Sequence, residues 1–215
     1  MRTTTLAAIG TYRCAAILRT TKASAVRPAL EAAIAGGFRV LEITMNTPGA
    51  LDHVATLRKE DPSLVVGVGT ILSKADAQRA KAAGAHFLVS PIVDEWMIEY
   101  CKENDLVSIP GTFTPTEMVN AHRVGADIVK LFPAPGTGAA YVAQCLGPCP
   151  FLKIFPTSGV TEENVAQFFE AGCFGVGFVA SLFPAREVQN GQFDVIASRA
   201  KRMTALVNEL KVKFP

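Results

Sequence analysis

The sequence predicts a single (β/α)8 barrel, residues 1–215, ending in one further helix. Three observations carry this. Apolar, strand-like runs recur about every twenty to twenty-seven residues, and there are eight. Segments rich in Ala, Glu and Lys, with helical periodicity, alternate with them. No Gly-x-Gly-x-x-Gly follows the first strand, which counts against the main alternative, an open doubly wound sheet.

The strands are expected at Tyr12–Leu18, Arg39–Thr44, Leu64–Val68, His86–Val89, Leu106–Ile109, Asp127–Phe132, Leu152–Phe155 and Phe174–Phe178. The helices between them are expected at Ala23–Ala35, Ala50–Glu60, Ala75–Ala83, Asp94–Glu103, Pro115–Val124, Ala139–Leu146 and Glu162–Ala171, with a last helix over Asp194–Val212. Glycines at 37, 84, 125 and 172 stand where a helix must stop and turn into a strand. Thr47-Pro48, Ser73, Asp94 and Thr161 with Asn164 read as helix starts.

Composition narrows the class. The chain is 49% apolar and 19% charged, which suits one globular domain with a sizeable core. A net charge of +2 implies no nucleic-acid partner, and no apolar run reaches membrane-span length. Five scattered cysteines fit free thiols in a reducing compartment, so a cytoplasmic location is expected. Cys145 and Cys149 are separated by a proline-broken stretch and read as packing residues. The first thirty residues lack acids, as in a transit peptide, which keeps an organelle open as the lesser reading. Beyond the first strand and helix, only a short N-terminal tail is left over.

Function in a barrel collects at the C-terminal ends of the strands. Two charges fall inside strands near that face. Lys130 lies among Ile128, Val129, Leu131 and Phe132, and Glu42 lies within Val40–Thr44. An ammonium among apolar residues is costly to desolvate unless it snorkels out, is paired, or serves as a neutral nucleophile. A buried ion pair is the structural explanation for both residues, but such pairs rarely gain stability over apolar residues. A nucleophilic amine and a carboxylate acid/base converging on a barrel mouth explain them better. Lys153 also lies in an apolar strand, but near its start, and reads as solvated. His53, His86 and His122 do not cluster, and no spacing suggests a metal site.

In order along the chain, Leu41-Glu-Ile-Thr44, Val68-Gly-Thr-Ile71, Val89-Ser-Pro91, Ile109-Pro-Gly-Thr-Phe-Thr-Pro-Thr-Glu117, Val129-Lys-Leu-Phe-Pro133 and Phe155-Pro-Thr-Ser-Gly159 resemble the KDPG/KHG aldolase family. The likeness runs from about Cys14 to Phe183. It implies a (β/α)8 barrel, a homotrimer, and a class I Schiff-base aldolase that works without cofactor or metal. Its substrate would be a small 2-keto acid, 2-keto-3-deoxy-6-phosphogluconate or 4-hydroxy-2-oxoglutarate, cleaved to pyruvate and an aldehyde. By the same resemblance Lys130 is the Schiff-base lysine and Glu42 the general acid/base. Arg19, Thr70, Pro91, Phe132, Thr157, Ser158 and Gly159 line the substrate site, with Thr70 and Thr157 on the pyruvyl carboxylate.

The chain departs from the family in three places. Asn46 stands where some relatives have arginine. Pro156-Thr-Ser-Gly159 replaces Pro-Thr-Gly-Gly. Val179-Ala180 replaces a Gly-Ser pair that serves the phosphate, with Ser181 one residue on. These substitutions bring in an aldolase of unphosphorylated 2-keto-3-deoxy acids as an alternative. A phosphosugar epimerase or decarboxylase barrel, and a non-catalytic keto-acid-binding barrel, are the readings from other classes.

Overall fold

Strands covered on both faces need near-continuous apolar sequence, and each strand here is buried along its whole length. The structure, a computed structural model, describes residues 1–134 and 136–214. Its strands are β1 (Cys14–Leu18), β2 (Val40–Thr44), β3 (Val65–Gly69), β4 (Phe87–Val89), β5 (Val107–Ile109), β6 (Gly111–Thr112), β7 (Val129–Leu131), β8 (Ile154–Pro156) and β9 (Val176–Phe178). The helices are α1 (Arg2–Tyr12), α2 (Ala23–Ala35), α3 (Ala50–Glu60), α4 (Lys74–Ala82), α5 (Glu95–Glu103), α6 (Pro115–Val124), α7 (Ala139–Leu146), α8 (Val165–Glu170), α9 (Ala185–Asn190) and α10 (Phe193–Lys213).

All strand pairs are parallel. Six strands pair in the order β5-β4-β3-β2-β1-β9, and three in the order β6-β7-β8. The fold is α/β, with helices alternating between strands of a curled parallel sheet. The two sheets also share hydrogen bonds. Ile128 N–H donates to the Ser108 carbonyl (3.3 Å), Lys130 N–H to Pro110 (2.9 Å), and Phe174 N–H to Ile154 (2.9 Å). An isolated parallel bridge joins Thr157 to Gly177.

Alternation along the strands separates two cores. One side of the strands packs on the helices, through residues such as Leu41, Ile43, Val66 and Val68. The other forms a smaller inner cluster of Ala15, Ile17, Val40, Phe87, Val107, Ile128 and Phe155.

Helix boundaries follow local chemistry. Ser73 caps α4 by accepting the Asp76 N–H. Thr114 and Glu117 form a capping box at α6, where Pro115 takes a first-turn position that needs no N–H. Gly37, Gly84, Gly125 and Gly172 all adopt positive φ at the helix-to-strand junctions, as expected.

The structure corrects the expectations at several elements. Residues 2–12 are helix α1, not a tail. Ile9 of α1 is buried in the inner cluster, and Leu6, Ala8 and Tyr12 pack against it. The strand expected from Tyr12 therefore starts at Cys14. The fifth strand is interrupted at Pro110, which has no N–H to donate, and resumes as β6. Asp127 lies outside β7, because its carboxylate is held by Arg2 and Ser108. The helix expected from Glu162 starts at Val165, since the Asn164 side chain accepts the Thr161 N–H and turns the chain first. Helix α9, ended by Gly191 at positive φ, was not anticipated.

Candidate active site

Lys130 sits at the centre of β7, with Gly111 and Phe155 as its cross-strand partners. The backbone is pinned on both sides. Its N–H donates to the Pro110 carbonyl, and its own carbonyl accepts from the Thr112 hydroxyl at 2.9 Å. The side chain does not reach out to solvent: the residue is 7% exposed, and Nζ lies 5.0 Å from the Phe132 ring centroid.

Glu42 sits at the centre of β2, opposite Ile17 of β1 and Gly67 of β3. It is 3% exposed. Burial pushes its carboxyl above the usual carboxylate range, while the charges of Lys130 and Arg19 pull against that shift.

Glu42, Lys130 and Thr157 line one narrow, mostly apolar cavity, walled by Val89, Ile109 and Phe155. None of the ion pairs among the described residues joins Glu42 to Lys130. Thr157 is 1% exposed, and its hydroxyl has no hydrogen-bond partner. A buried, unsatisfied hydroxyl costs about 1–3 kcal/mol, so a ligand oxygen in this cavity would find a ready partner.

The other anticipated residues stand at the strand ends around this cavity. Arg19 is exposed, and its guanidinium donates to the Thr70 hydroxyl over a long 3.4 Å. Thr70 and Ser158 both adopt left-handed backbone, at φ 61° and 62°. For a β-branched threonine this is a strained conformation, of the kind found at functional sites. Gly159 follows Ser158, and Phe132 stands half-buried beside Lys130. Pro91 is pressed against Gly111, where a Cβ would come within 2.4 Å of the Pro91 carbonyl carbon.

The departures fall around the ends of β2, β8 and β9. Asn46 is exposed. Val179 is half-buried and packs against the inner cluster. Ala180 is exposed, and the Ser181 hydroxyl donates to the Val160 carbonyl at 2.7 Å.

Sequence reasoning missed the cavity's apolar walls and the role of Gly67 and Gly69. Gly69 enters the sequence reading only as part of the Val68-Gly-Thr-Ile71 motif, and Gly67 only as part of the third strand. They are inward-facing strand residues; their spacing of two, the period of a strand face, was the available sign.

A wider, more open pocket lies at the opposite end of the molecule, among Arg13, Phe151, Lys153, Phe174 and Lys211. Its Arg13 guanidinium is spent on the carbonyls of Cys173, Phe174 and Phe214. Lys153 is exposed there, as anticipated.

The family model described as KDPG and KHG aldolase matches residues 7–199. A 2-dehydro-3-deoxy-phosphogluconate aldolase of Treponema pallidum is 31% identical over 84% of this chain and 86% of its own. A KHG/KDPG aldolase of Escherichia coli K12 is 32% identical over 81% of this chain and 82% of its own. A crystal structure of the 2-keto-3-deoxy-6-phosphogluconate aldolase of Zymomonas mobilis ZM4 with 3-phosphoglycerate superposes with a TM-score of 0.80 at 26% identity, covering 94% of this chain and 95% of that one.

Proposed function

The chain belongs to the KDPG and KHG aldolase family, and from that premise we propose that it is a class I aldolase cleaving a 4-hydroxy-2-oxo acid to pyruvate and an aldehyde. The observation that carries this reading is the shared cavity. Lys130 and Glu42 enter it from different strands, unpaired with each other, beside the unpartnered Thr157 hydroxyl.

The chemistry follows from these groups. The Lys130 amine, in its free-base form, adds to the C2 ketone. Loss of water gives an iminium that serves as the electron sink. Glu42 first supplies a proton for that dehydration and then accepts the proton of the C4 hydroxyl. The C3–C4 bond breaks, its electron pair enters the enamine, and the aldehyde leaves. Protonation at C3 and hydrolysis return pyruvate and the free amine. A carboxyl whose pKa burial raises is suited to giving a proton as well as taking one.

Thr157 and Thr70 hold the pyruvyl carboxylate, assisted by Arg19, and Phe132 and Pro91 pack on the reacting carbons. Ser158 and Gly159 line the distal part of the site. The substrate is 2-keto-3-deoxy-6-phosphogluconate, 4-hydroxy-2-oxoglutarate, or both. Val179 and the committed Ser181 hydroxyl favour a second form of this reading, an unphosphorylated 2-keto-3-deoxy acid. A phosphosugar barrel without a covalent intermediate leaves the buried Lys130 unexplained.

In this reading the two sheets close into one (β/α)8 barrel spanning residues 1–215. The Ile128–Ser108, Lys130–Pro110 and Phe174–Ile154 hydrogen bonds support that closure. The protein works as a cytoplasmic homotrimer without metal or cofactor. No helix among the described residues is long and apolar enough to cross a membrane.

Pyruvate release from each candidate substrate tests the proposal. Release is expected from at least one 4-hydroxy-2-oxo acid and should vanish in Lys130→Ala. Release that persists in Lys130→Ala would remove the lysine from the mechanism.

A further inference from the structure

Gly69 ends β3, one residue before Thr70, and lies across from Thr44 of β2. Its backbone is not in the left-handed region, so no conformational need calls for glycine here. The need is steric. A Cβ at position 69 would stand 1.9 Å from Glu42 Oε1, 2.7 Å from Cδ and 3.0 Å from Cγ. The Glu42 side chain leans up its own strand and lies in the space that any other residue at 69 would fill.

We propose that Gly69 is the positioning residue for Glu42. Its missing side chain is the recess that holds the carboxyl against the wall of β3 and keeps it from extending across the cavity to Lys130. This rests on the acid/base role given to Glu42 above. The recess is specific to this contact. Gly67, two residues earlier on the same face, makes room for the Phe87 ring, which a Cβ would meet at 2.3 Å. Gly177, on β9, makes room for Ile17 and the Thr157 methyl, at 2.5 and 2.7 Å.

The recess explains how a buried acid and a buried amine share one cavity without an ion pair. Such a pair would tie up the amine and the acid together, leaving neither free for the substrate. A methyl group at 69 pushes the carboxyl out of its seat, and the buried surroundings leave it only the cavity to enter.

The test is a double-mutant cycle read on both stability and rate. Gly69→Ala should lower kcat at least tenfold, change KM less than threefold, and shift the pH optimum of kcat/KM. Glu42→Asp, one methylene shorter, should recover at least tenfold of kcat in the Gly69→Ala background, although it lowers kcat in the parent. Gly69→Ala should also depress Tm in the parent but not in the Glu42→Ala background. That second arm remains decisive if Gly69→Ala alone folds poorly. An equal loss of Tm in both backgrounds, or no recovery by Glu42→Asp, overturns the proposal. If Glu42→Gln retains full activity, the acid/base role itself fails, whatever the cycle on Tm returns.

Discussion

Lys130 and Glu42 face one buried cavity from β7 and β2 and do not form an ion pair. Two opposite charges buried for stability alone would be expected to meet, since an unpaired buried charge is the costly case. Neither group engages the other, so both are left to act on a bound substrate, and this is the relationship on which the proposed chemistry depends.

Glu42 should cost the fold stability at neutral pH. Folding raises the pKa of its carboxyl, so the folded state holds the proton more tightly than the unfolded chain. Stability is then intact below the ordinary value of 4.5 and is lost as pH rises through the folded value. Glu42→Gln removes that loss. Thermal melts should show the variant above the parent at pH 8, with the gap closing towards pH 4.5, while kcat falls by roughly 10²–10⁴-fold. A variant that melts below the parent at pH 8 would show that the charged form is favoured by folding.

His86 should make the fold acid-sensitive. It is buried at the start of β4, and its Nδ1 accepts the Val66 N–H at 3.1 Å. Burial, with the Arg58 charge nearby, lowers its pKa from 6.5 to about 4. The stability it contributes is present above pH 6.5 and is lost as pH falls towards 4. His86→Asn keeps an acceptor for Val66 without the titration. Tm of this variant should vary less between pH 6.5 and 4 than Tm of the parent; equal slopes would contradict the assignment.

Arg2 should anchor α1 without touching the chemistry. Its Nε donates to both Asp127 oxygens at 3.0 Å, and Asp127 also accepts the Ser108 N–H at 2.9 Å. Arg2→Ala leaves a buried carboxylate without its cation, at a cost of about 2 kcal/mol, or a fall in Tm of about 4–8 °C. Arg2→Lys should recover little of it, because a point charge cannot reproduce the fork. In steady-state assays, kcat of the folded variant should stay within twofold of the parent.

The distal end of the site should discriminate weakly in favour of phosphate. Ser181 donates its hydroxyl proton to Val160, and Val179 presents an apolar side chain to the inner cluster. In a direct comparison, kcat/KM for the 6-phosphorylated keto acid should exceed that for its unphosphorylated counterpart by less than tenfold. Val179→Gly with Ala180→Ser should widen the ratio by at least tenfold, through closer backbone approach and a new donor. A large phosphate preference in the parent would mean that backbone N–H groups alone suffice.

Much of this was legible in the residues. The eight apolar runs and the four helix-ending glycines marked the alternation of strand and helix, because burial on both faces and the left-handed turn each demand particular residue types. Lys130 and Glu42 stood out because charge inside an apolar strand is expensive. Helix α1 was not legible. Its Thr-rich sequence, Arg2–Tyr12, has little amphipathic pattern, and it is held by long-range contacts to Asp105 and Asp127 and by Ile9 in the inner cluster. Helix α9 is too short for a periodic pattern to emerge. The unpartnered Thr157 hydroxyl and the Gly69 recess are products of packing, so no local pattern announces them.

Borohydride reduction in the presence of pyruvate, followed by peptide mass mapping, tests the central claim most directly. A stable three-carbon adduct on Lys130, absent in Lys130→Ala, is the predicted result. Reduction that leaves Lys130 unmodified, or an adduct carried by another lysine, would contradict it.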